Sequence, residues 1–148
     1  MRHATAFAMG LCLSCIAPLA HAQEATAAPD GKIFLELNSA VDTAEGGCQL
    51  TVVTTNRLDS GLKRAAWQVA IFDDAGVVQS LPILDFGAMT AGKTKVAVFS
   101  LPDRTCGKIG RIVINDVAEC TGDDDSDKRA ACLDGLATQA RTDIEFGI

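Results

Sequence analysis

Four of the six cysteines constrain this chain more than any other feature, because the other two, Cys12 and Cys15, lie in an N-terminal segment that is expected to be removed. The four are Cys48, Cys106, Cys120 and Cys132, separated by 58, 14 and 12 positions. No C-x-x-C pair occurs among these four to chelate a metal locally, and an even number in an exported chain predicts two disulfides rather than a zinc site. Four cysteines allow three pairings. Because disulfides persist in oxidising compartments, the N-terminus decides whether this prediction applies.

The first 22 residues have the pattern of a removable export signal. A short cationic start at Met1–His3 precedes an apolar stretch from Ala4 to Ala20, and an A-x-A cleavage pattern ends at Ala22. We predict cleavage after Ala22 and a periplasmic location. The alternatives are a membrane anchor, and a lipoprotein signal in which Cys15 becomes the lipidated N-terminus.

Removal of the signal changes the charge and the chemistry of the chain. Taking 22 of the 148 residues away leaves 126, enough for one ordinary domain. Arg2 leaves and no acid does, so 12 basic residues face 19 acidic ones and the formal charge falls from -6 to -7. That balance disfavours nucleic acid and anionic membranes as partners. His3 and His21 leave too and the chain has no tyrosine, which excludes histidine-based catalysis and histidine metal sites.

The remaining chain is expected to form one domain. We predict a signal peptide over residues 1–22, a flexible Ala-rich leader over 23–31 and a single domain over 32–148. No other segment is long and apolar enough to span a bilayer, so we expect no membrane insertion after signal removal.

Short β-rich runs separated by turn residues predict an all-β sandwich rather than alternating βα units. Alternation is clearest around Trp67, which we expect to anchor the core between two sheets; ligand stacking is the alternative for a lone tryptophan. Residues 73–76 predict a tight hairpin turn with a positive φ at Gly76. The runs are Ile33–Leu37, Cys48–Thr55, Leu62–Phe72, Val77–Leu84, Lys95–Leu101 and Ile109–Val117.

The last third of the chain changes character. An acidic run over 123–127 leads into Lys128–Ala137, whose apolar spacing predicts a helix capped by Ser126 or Asp125. The tail, Thr142–Phe146, is expected to return as an edge strand. Together these features predict an immunoglobulin-like antiparallel β-sandwich of about six to seven strands with a short C-terminal helix.

Strand direction predicts the disulfide pairing. If consecutive strands run up and down, the second and the sixth runs point the same way and start at the same end of the sandwich. Cys48 begins the second run and Cys106 stands just before the sixth, so we predict a Cys48–Cys106 bond. Cys120 and Cys132 then close a local loop around the acidic run.

Residues 87–94 match the G-x-x-x-x-G-K-[ST] phosphate-loop pattern, and Ile112–Asp116 is an apolar run that ends in Asp. A phosphate loop needs a helix directly after Lys93 and Thr94, because the helix N-terminus and the loop amides cradle the phosphates. The segment that follows is rich in β-branched residues and is stopped by Pro102. We interpret the match as a turn between two strands and predict no cofactor.

The acidic run is the other candidate site. Asp123, Asp125 and Asp127 alternate as in an EF-hand, but Lys128 replaces the glycine at the sixth position and the bidentate glutamate is absent. We predict no metal site, and keep calcium binding by these three aspartates as an alternative. No serine lies in a G-x-S-x-G elbow and no pair of carboxylates is singled out, so we predict no catalytic residue.

The chain resembles a family of small exported bacterial proteins of unassigned activity, often labelled Tat pathway signal sequence domain proteins. The resemblance covers roughly residues 33–132 and implies fold and export rather than chemistry. The signal lacks an Arg-Arg pair, so the general secretory route fits better. The matching positions are Phe34-Leu35-Glu36-Leu37-Asn38, Gly47-Cys48, Phe72-Asp73 with Gly76, Ala91-Gly92-Lys93-Thr94, Phe99 with Leu101-Pro102, Cys106 with Ile109-Gly110, and Ile114-Asn115-Asp116-Val117 with Cys120.

We therefore predict a monomeric, disulfide-stabilised, exported binding or interaction module without catalysis of its own. Its ligand is unknown, and the acidic 120–132 loop is expected to meet a basic protein partner. The alternatives are calcium binding through residues 123–127, a carboxylate-based hydrolase, and a nucleotide hydrolase that uses Lys93.

Overall fold

The computed structural model describes residues 32–148, together with Met1. The predicted signal, its cleavage after Ala22 and the leader over 23–31 lie outside the described residues. The described part contains a 3₁₀ helix at Cys106–Lys108 and one α-helix, and its helices are too short to span a membrane. The elements are β1 (Ile33–Asp42), β2 (Cys48–Asn56), β3 (Leu62–Phe72), β4 (Val78–Ser80), β5 (Ile83–Met89), β6 (Thr94–Leu101), β7 (Arg111–Gly122), α1 (Arg129–Asp134), β8 (Leu136–Ala140) and β9 (Glu145–Gly147).

The strands form two sheets that share one core. The first sheet has the order β6-β2-β1-β8, and the second has the order β4-β3-β7-β9 with β5 also paired to β3. The neighbours β1-β2-β6 and β3-β7 correspond to the A-B-E and C-F neighbours of an immunoglobulin sandwich. The predicted all-β sandwich with a short C-terminal helix is confirmed, with nine strands in residues 32–148 rather than six or seven.

The C-terminal strands depart from a purely antiparallel arrangement. β8 lies parallel to β1, and β9 lies parallel to the start of β7. In an immunoglobulin domain the strand after F lies beside F in the same sheet. Here the chain instead passes through α1 to the first sheet, and β9 then returns to pair with Arg111–Val113 alone.

The core is centred on Trp67, which is fully buried. Its ring packs edge-on against Phe86 at 5.5 Å between centroids, and Phe86 packs edge-on against Phe99 at 5.1 Å. The indole Nε1 donates a hydrogen bond to the Cys132 carbonyl at 3.2 Å. A buried tryptophan with its N–H satisfied is a packing residue, so the prediction that Trp67 anchors the core is confirmed.

Both predicted disulfides are present. Cys48–Cys106 and Cys120–Cys132 have Cα separations of 4.8 and 6.4 Å. They lie at opposite ends of the sandwich. The groove end, which holds Cys48–Cys106, comprises the loops 43–47, 73–77, 102–110 and 141–144. The acidic end, which holds Cys120–Cys132, comprises the loops 57–61 and 90–93 and residues 123–135.

Several predicted boundaries are wrong. Val77–Leu84 is two strands, because Leu81 and Pro82 separate β4 from β5 and the Pro82 carbonyl instead accepts the Val69 N–H at 2.9 Å.

The helix is also shorter than predicted. It ends at Asp134 because Gly135 follows, and Leu136 already begins β8. Its N-cap residue is Lys128, which makes no capping bond through its side chain, so the predicted cap by Ser126 or Asp125 is wrong. The predicted edge strand in the tail is present as the short β9.

Candidate functional site

The segment that matches the phosphate-loop pattern is a turn between two strands. Thr94 begins β6 rather than a helix. The loop amides are engaged within the fold: the Gly87 N–H donates to the Asp85 carboxylate at 2.8 Å, and the Gly92 N–H donates to the Asn56 carbonyl at 2.8 Å. A phosphate site needs such amides directed at its ligand. The strand-turn-strand interpretation of residues 87–94 therefore agrees with the structure.

Asn56 fixes this turn from inside the sandwich. The residue is fully buried, and its Nδ2 donates to the carbonyls of Met89 at 2.9 Å and Ser60 at 3.0 Å. Its Oδ1 accepts the Leu58 N–H at 3.0 Å, and its backbone N–H donates to the Lys93 carbonyl at 3.1 Å. Asn56 therefore joins two loops of the acidic end, a role that the sequence analysis did not identify.

The three candidate metal ligands have separate surroundings. Asp125 pairs with Lys63 at 2.5 Å, and Asp127 accepts the Arg129 N–H at 2.9 Å. The Asp123 carboxylate has no hydrogen-bond or ion-pair partner in residues 32–148. Within that part of the chain no three His, Cys, Asp or Glu side chains are grouped so that they could hold a metal ion. The structure thus does not assemble these aspartates as an EF-hand would.

Asp124 closes the turn of the acidic loop. Its carboxylate accepts hydrogen bonds from the Ser126 hydroxyl and, at 3.1 Å, from the Ser126 N–H. These bonds, the hydroxyl bond foremost, hold the pKa of Asp124 below its ordinary value, because they favour the ionised carboxylate. The next residue, Asp125, has a φ of +61°. The acidic charges therefore shape the loop, and only part of the run is left to attract a basic partner.

Among the grooves that open at the opposite end of the sandwich, the groove end, are two whose walls include Asp74. The larger has a volume of about 560 Å³ and lies between the end of β1, the 3₁₀ helix and the 141–144 turn. The smaller has a volume of about 400 Å³ and lies between the 73–77 hairpin and the loop that carries Arg104 and Lys108. Asp74 lines both grooves. Their volumes fall in the range of roughly 300–1,000 Å³ that small-ligand sites occupy.

The 73–77 hairpin is closed by Asp73. Its Oδ1 accepts the N–H groups of Ala75 at 3.0 Å and Val77 at 2.9 Å, and its Oδ2 accepts the Gln79 amide at 2.7 Å. The predicted hairpin turn is confirmed, with a φ of +77° at Gly76. One wall of the smaller groove therefore has a defined shape.

The opposite wall is anchored at the 3₁₀ helix. The Cys106 N–H donates to the Asp42 carboxylate at 2.6 Å, and the Cys106 sulfur is bonded to Cys48. A little further on, the Gly110 N–H donates to the Phe72 carbonyl at 3.0 Å. The loop between β6 and β7 is thus tied to both sheets.

Arg141 ties the third loop of the groove end to β1. The Arg141 Nε lies 2.8 Å from Oε2 of Glu36, whose side chain is only 8% exposed. The backbone N–H of Arg141 donates to the Leu37 carbonyl at 2.9 Å. The Asn38 amide donates to the other Glu36 oxygen at 2.9 Å. A buried carboxylate that loses its partner is costly, so the Glu36–Arg141 pair fixes the 141–144 turn against β1.

Four charged groups that line the smaller groove have no partner. They are two cations, Arg104 and Lys108, and two carboxylates, Asp74 and Asp103. None of them makes an ion pair or a side-chain hydrogen bond with any residue of 32–148. Arg104 is half-buried, and Asp103 has a φ of +63°. The groove thus presents cationic and anionic side chains that the fold does not engage. Its walls are held by the Asp73 hydrogen bonds and by the Cys48–Cys106 disulfide.

This site leaves no pattern in the sequence, because its charged residues come from separate loops that meet only in the folded chain. Comparison with models of protein families, with curated proteins and with solved structures finds no match to this chain. Membership of the small exported family therefore stays a prediction. The candidate functional site is the pair of grooves at the groove end.

Proposed function

We propose that the protein is an exported, non-catalytic binding module and that the groove end is its binding surface. The observation that carries the proposal is the smaller groove, in which Arg104, Lys108, Asp74 and Asp103 have no partner in the described chain. Loops at one end of a rigid sandwich are a common location for binding sites, because the scaffold fixes them without constraining their sequence.

The charges of the groove select a class of ligand. Two cations and three carboxylates line this groove of about 400 Å³, and they complement a molecule that carries both signs of charge. An amino acid, a short peptide or the terminus of a protein partner has this chemistry. A purely anionic ligand would meet the carboxylates, and a purely cationic one would meet the guanidinium of Arg104 and the ammonium of Lys108.

Two disulfides support the exported location, since disulfides persist in oxidising compartments. The periplasm and the removal of residues 1–22 are part of the proposal. The intact mass of the protein from a periplasmic fraction tests both: a chain that starts at Gln23 and is about 4 Da lighter than its reduced form is expected. A full-length reduced chain in the cytoplasm would contradict them.

The binding proposal is tested by thermal unfolding of the disulfide-intact protein with a panel of probes. The panel contains free amino acids, dipeptides, small dicarboxylates, inorganic phosphate and diamines. We expect a concentration-dependent rise in Tm with zwitterionic probes, because a ligand that binds only the native state stabilises it. Replacing both Arg104 and Lys108 by alanine is expected to abolish that rise.

The matched control is Lys93→Ala, which removes an exposed and unpartnered cation from the acidic end. This variant should respond to the probes as the parent protein does. A rise that survives the double alanine variant places binding elsewhere and refutes the assignment of the groove. The same assay with ATP and with calcium tests the two alternatives: stabilisation by ATP that Lys93→Ala removes, or stabilisation by calcium that Asp123→Ala removes, would replace this proposal.

A further inference from the structure

β6 is an edge strand whose outer side pairs with no strand of residues 32–148. Val96 and Val98 on this strand are 60% and 55% exposed. They are flanked by the exposed hydroxyls of Thr94 and Ser100. An unpaired edge presents a row of backbone N–H and C=O groups that can pair with another strand. Natural edge strands are usually protected by charges, prolines or bulges, and β6 has a single charge, Lys95, on the face opposite Val96 and Val98.

The second sheet carries charges across its outer face, whereas the outer face of the first sheet is uncharged beside the β6 edge and carries Glu36, paired with Arg141, further in on β1. On the second sheet, Arg64 bridges Asp85 at 2.7 Å and Glu119 at 3.1 Å, which forms a charged row across three strands. On the first sheet, β2 continues the uncharged surface of β6 inward, with Val53 directly opposite Val96. A charged row is typical of a solvated face, whereas a flat uncharged face beside a free edge is typical of a contact surface.

The single charged residue of β6, Lys95, is directed towards the second sheet. Lys95 donates from its Nζ to the carbonyls of Phe86 at 2.5 Å and Ala88 at 3.2 Å, both on β5 of the other sheet. The ammonium group is therefore held across the gap between the two sheets. It donates to two carbonyls of β5, and the face of β6 that carries Val96 and Val98 has no charge.

The residue pattern of β6 is symmetric about Ala97. A hydroxyl residue stands three positions away on each side, and a valine stands one position away on each side. If two copies pair antiparallel with Ala97 opposite Ala97, each Val96 faces Val98 of the second copy and each Thr94 faces its Ser100. Lys95 faces Phe99 of the second copy, so no lysine opposes a lysine.

From this self-complementarity we propose that the β6 edge binds a second copy of the chain. The two β6 strands pair antiparallel about a two-fold axis through Ala97, and the two four-stranded first sheets become one continuous sheet. A two-fold contact requires a surface that complements itself, and β6 has both the free edge and the symmetric pattern that this requires. The contact is a single strand pair with four valines on one face, so the dimer is weak and reversible. It is independent of the groove end, and it replaces the monomer expected from the sequence.

Sedimentation velocity of the disulfide-intact protein tests the proposal. We expect the parent to pass from monomer to dimer with a dissociation constant of about 10–100 µM. Val96→Lys with Val98→Lys sets like charges opposite each other across the axis and is expected to raise that constant at least about tenfold. Val96→Lys with Val98→Glu sets opposite charges there, so its constant should stay within about threefold of the parent value.

Val77→Lys with Val78→Lys is the control, because it introduces the same charge at two exposed valines away from β6. It should dimerise like the parent protein, and the Tm of every variant is measured to show that the fold is kept. A parent protein that stays monomeric up to about 300 µM overturns the proposal. A dimer that tolerates the double-lysine change on β6 overturns it too, and a lysine-glutamate variant as weak as the double-lysine variant refutes the register.

Discussion

The two ends of the sandwich each carry one disulfide, but they differ in what their polar groups do. At the acidic end Asn56 is buried with its amide satisfied and Asp124 is held by Ser126, while the side chains of Asp123 and Lys93 have no partner in residues 32–148. At the groove end the frame is equally well bonded, yet Arg104 and Lys108 have no partner in residues 32–148. The densest run of charge in the sequence therefore forms a structural loop. The groove lined by four charged side chains without a partner lies where the sequence showed no cluster of charge.

The largest expected effect distinguishes the two disulfides. Cys48–Cys106 closes a loop of 58 positions and Cys120–Cys132 closes one of 12. Because the loss of unfolded-chain entropy grows with loop length, replacing the first pair by alanine should lower the free energy of unfolding by about 4 kcal/mol and replacing the second by about 3 kcal/mol. Urea unfolding under oxidising conditions measures both values.

The free energies of unfolding of the two variants can be compared directly, since each variant loses two sulfur atoms. Three of the four cysteines are buried and Cys106 is half-buried, so the cavity term is similar or larger for the second pair. If the second pair proves to matter more than the first, packing around Trp67 rather than loop entropy dominates the acidic end.

The next effect compares the residue that organises the loops at each end. Asn56→Ala should cost about 3 kcal/mol, because it leaves the carbonyls of Met89 and Ser60 without a donor inside the protein. Asp73→Ala should cost only about 1 kcal/mol, because the N–H groups that it releases in the hairpin can bond to water. Chemical unfolding of the two variants gives the comparison. Equal costs would mean that the two ends are organised in the same way.

The smallest effect concerns the acidic loop alone. Ser126→Ala removes the main cause that lowers the pKa of Asp124, so that pKa should rise towards its ordinary value of about 3.9. A lowered pKa in the folded state stabilises the fold above the unfolded pKa, and this contribution is lost as the pH falls through the folded pKa. The variant should therefore lose less stability than the parent when the pH is taken below about 4.

Carboxyl chemical shifts recorded by NMR across that pH range measure the change directly. Asp85 is the internal reference, because its pKa is lowered chiefly by the hydrogen bond from Arg64, on the outer face of the second sheet. That titration should be the same in Ser126→Ala and in the parent. An unchanged Asp124 titration in the variant would show that the hydroxyl does not determine its charge.

Much of the sandwich was predictable because its signals are local. The run Leu62–Phe72 is β3 with the predicted bounds, since an eleven-residue β-rich run between turn signals leaves little ambiguity. The disulfide pairing followed from strand direction, which the structure bears out. The parts that failed depend on distant contacts. Leu136 and Ala137 continue the helical spacing of Leu133, but they pair with β1, about a hundred positions earlier in the chain.

The candidate site was less predictable than the fold. Its charges come from the 73–77 hairpin and the 102–108 loop, and no spacing rule connects these two segments. Asn56 did leave a signal, because it takes the inward position of β2 after Leu50 and Val52. A polar amide at an inward strand position predicts a buried hydrogen-bonding role. The meeting of the loops at the groove end, by contrast, required the folded structure.

The pairing of the cysteines has a consequence for the order in which the bonds form. Of the four in residues 32–148, the first is bonded to the second and the third to the fourth. A chain that emerges N-terminus first into an oxidising space meets its cysteines in that order. The second and the fourth thiols then each find their native partner already exposed, so sequential oxidation favours the native bonds. Such a chain reaches its final connectivity without an isomerase to reshuffle mispaired intermediates.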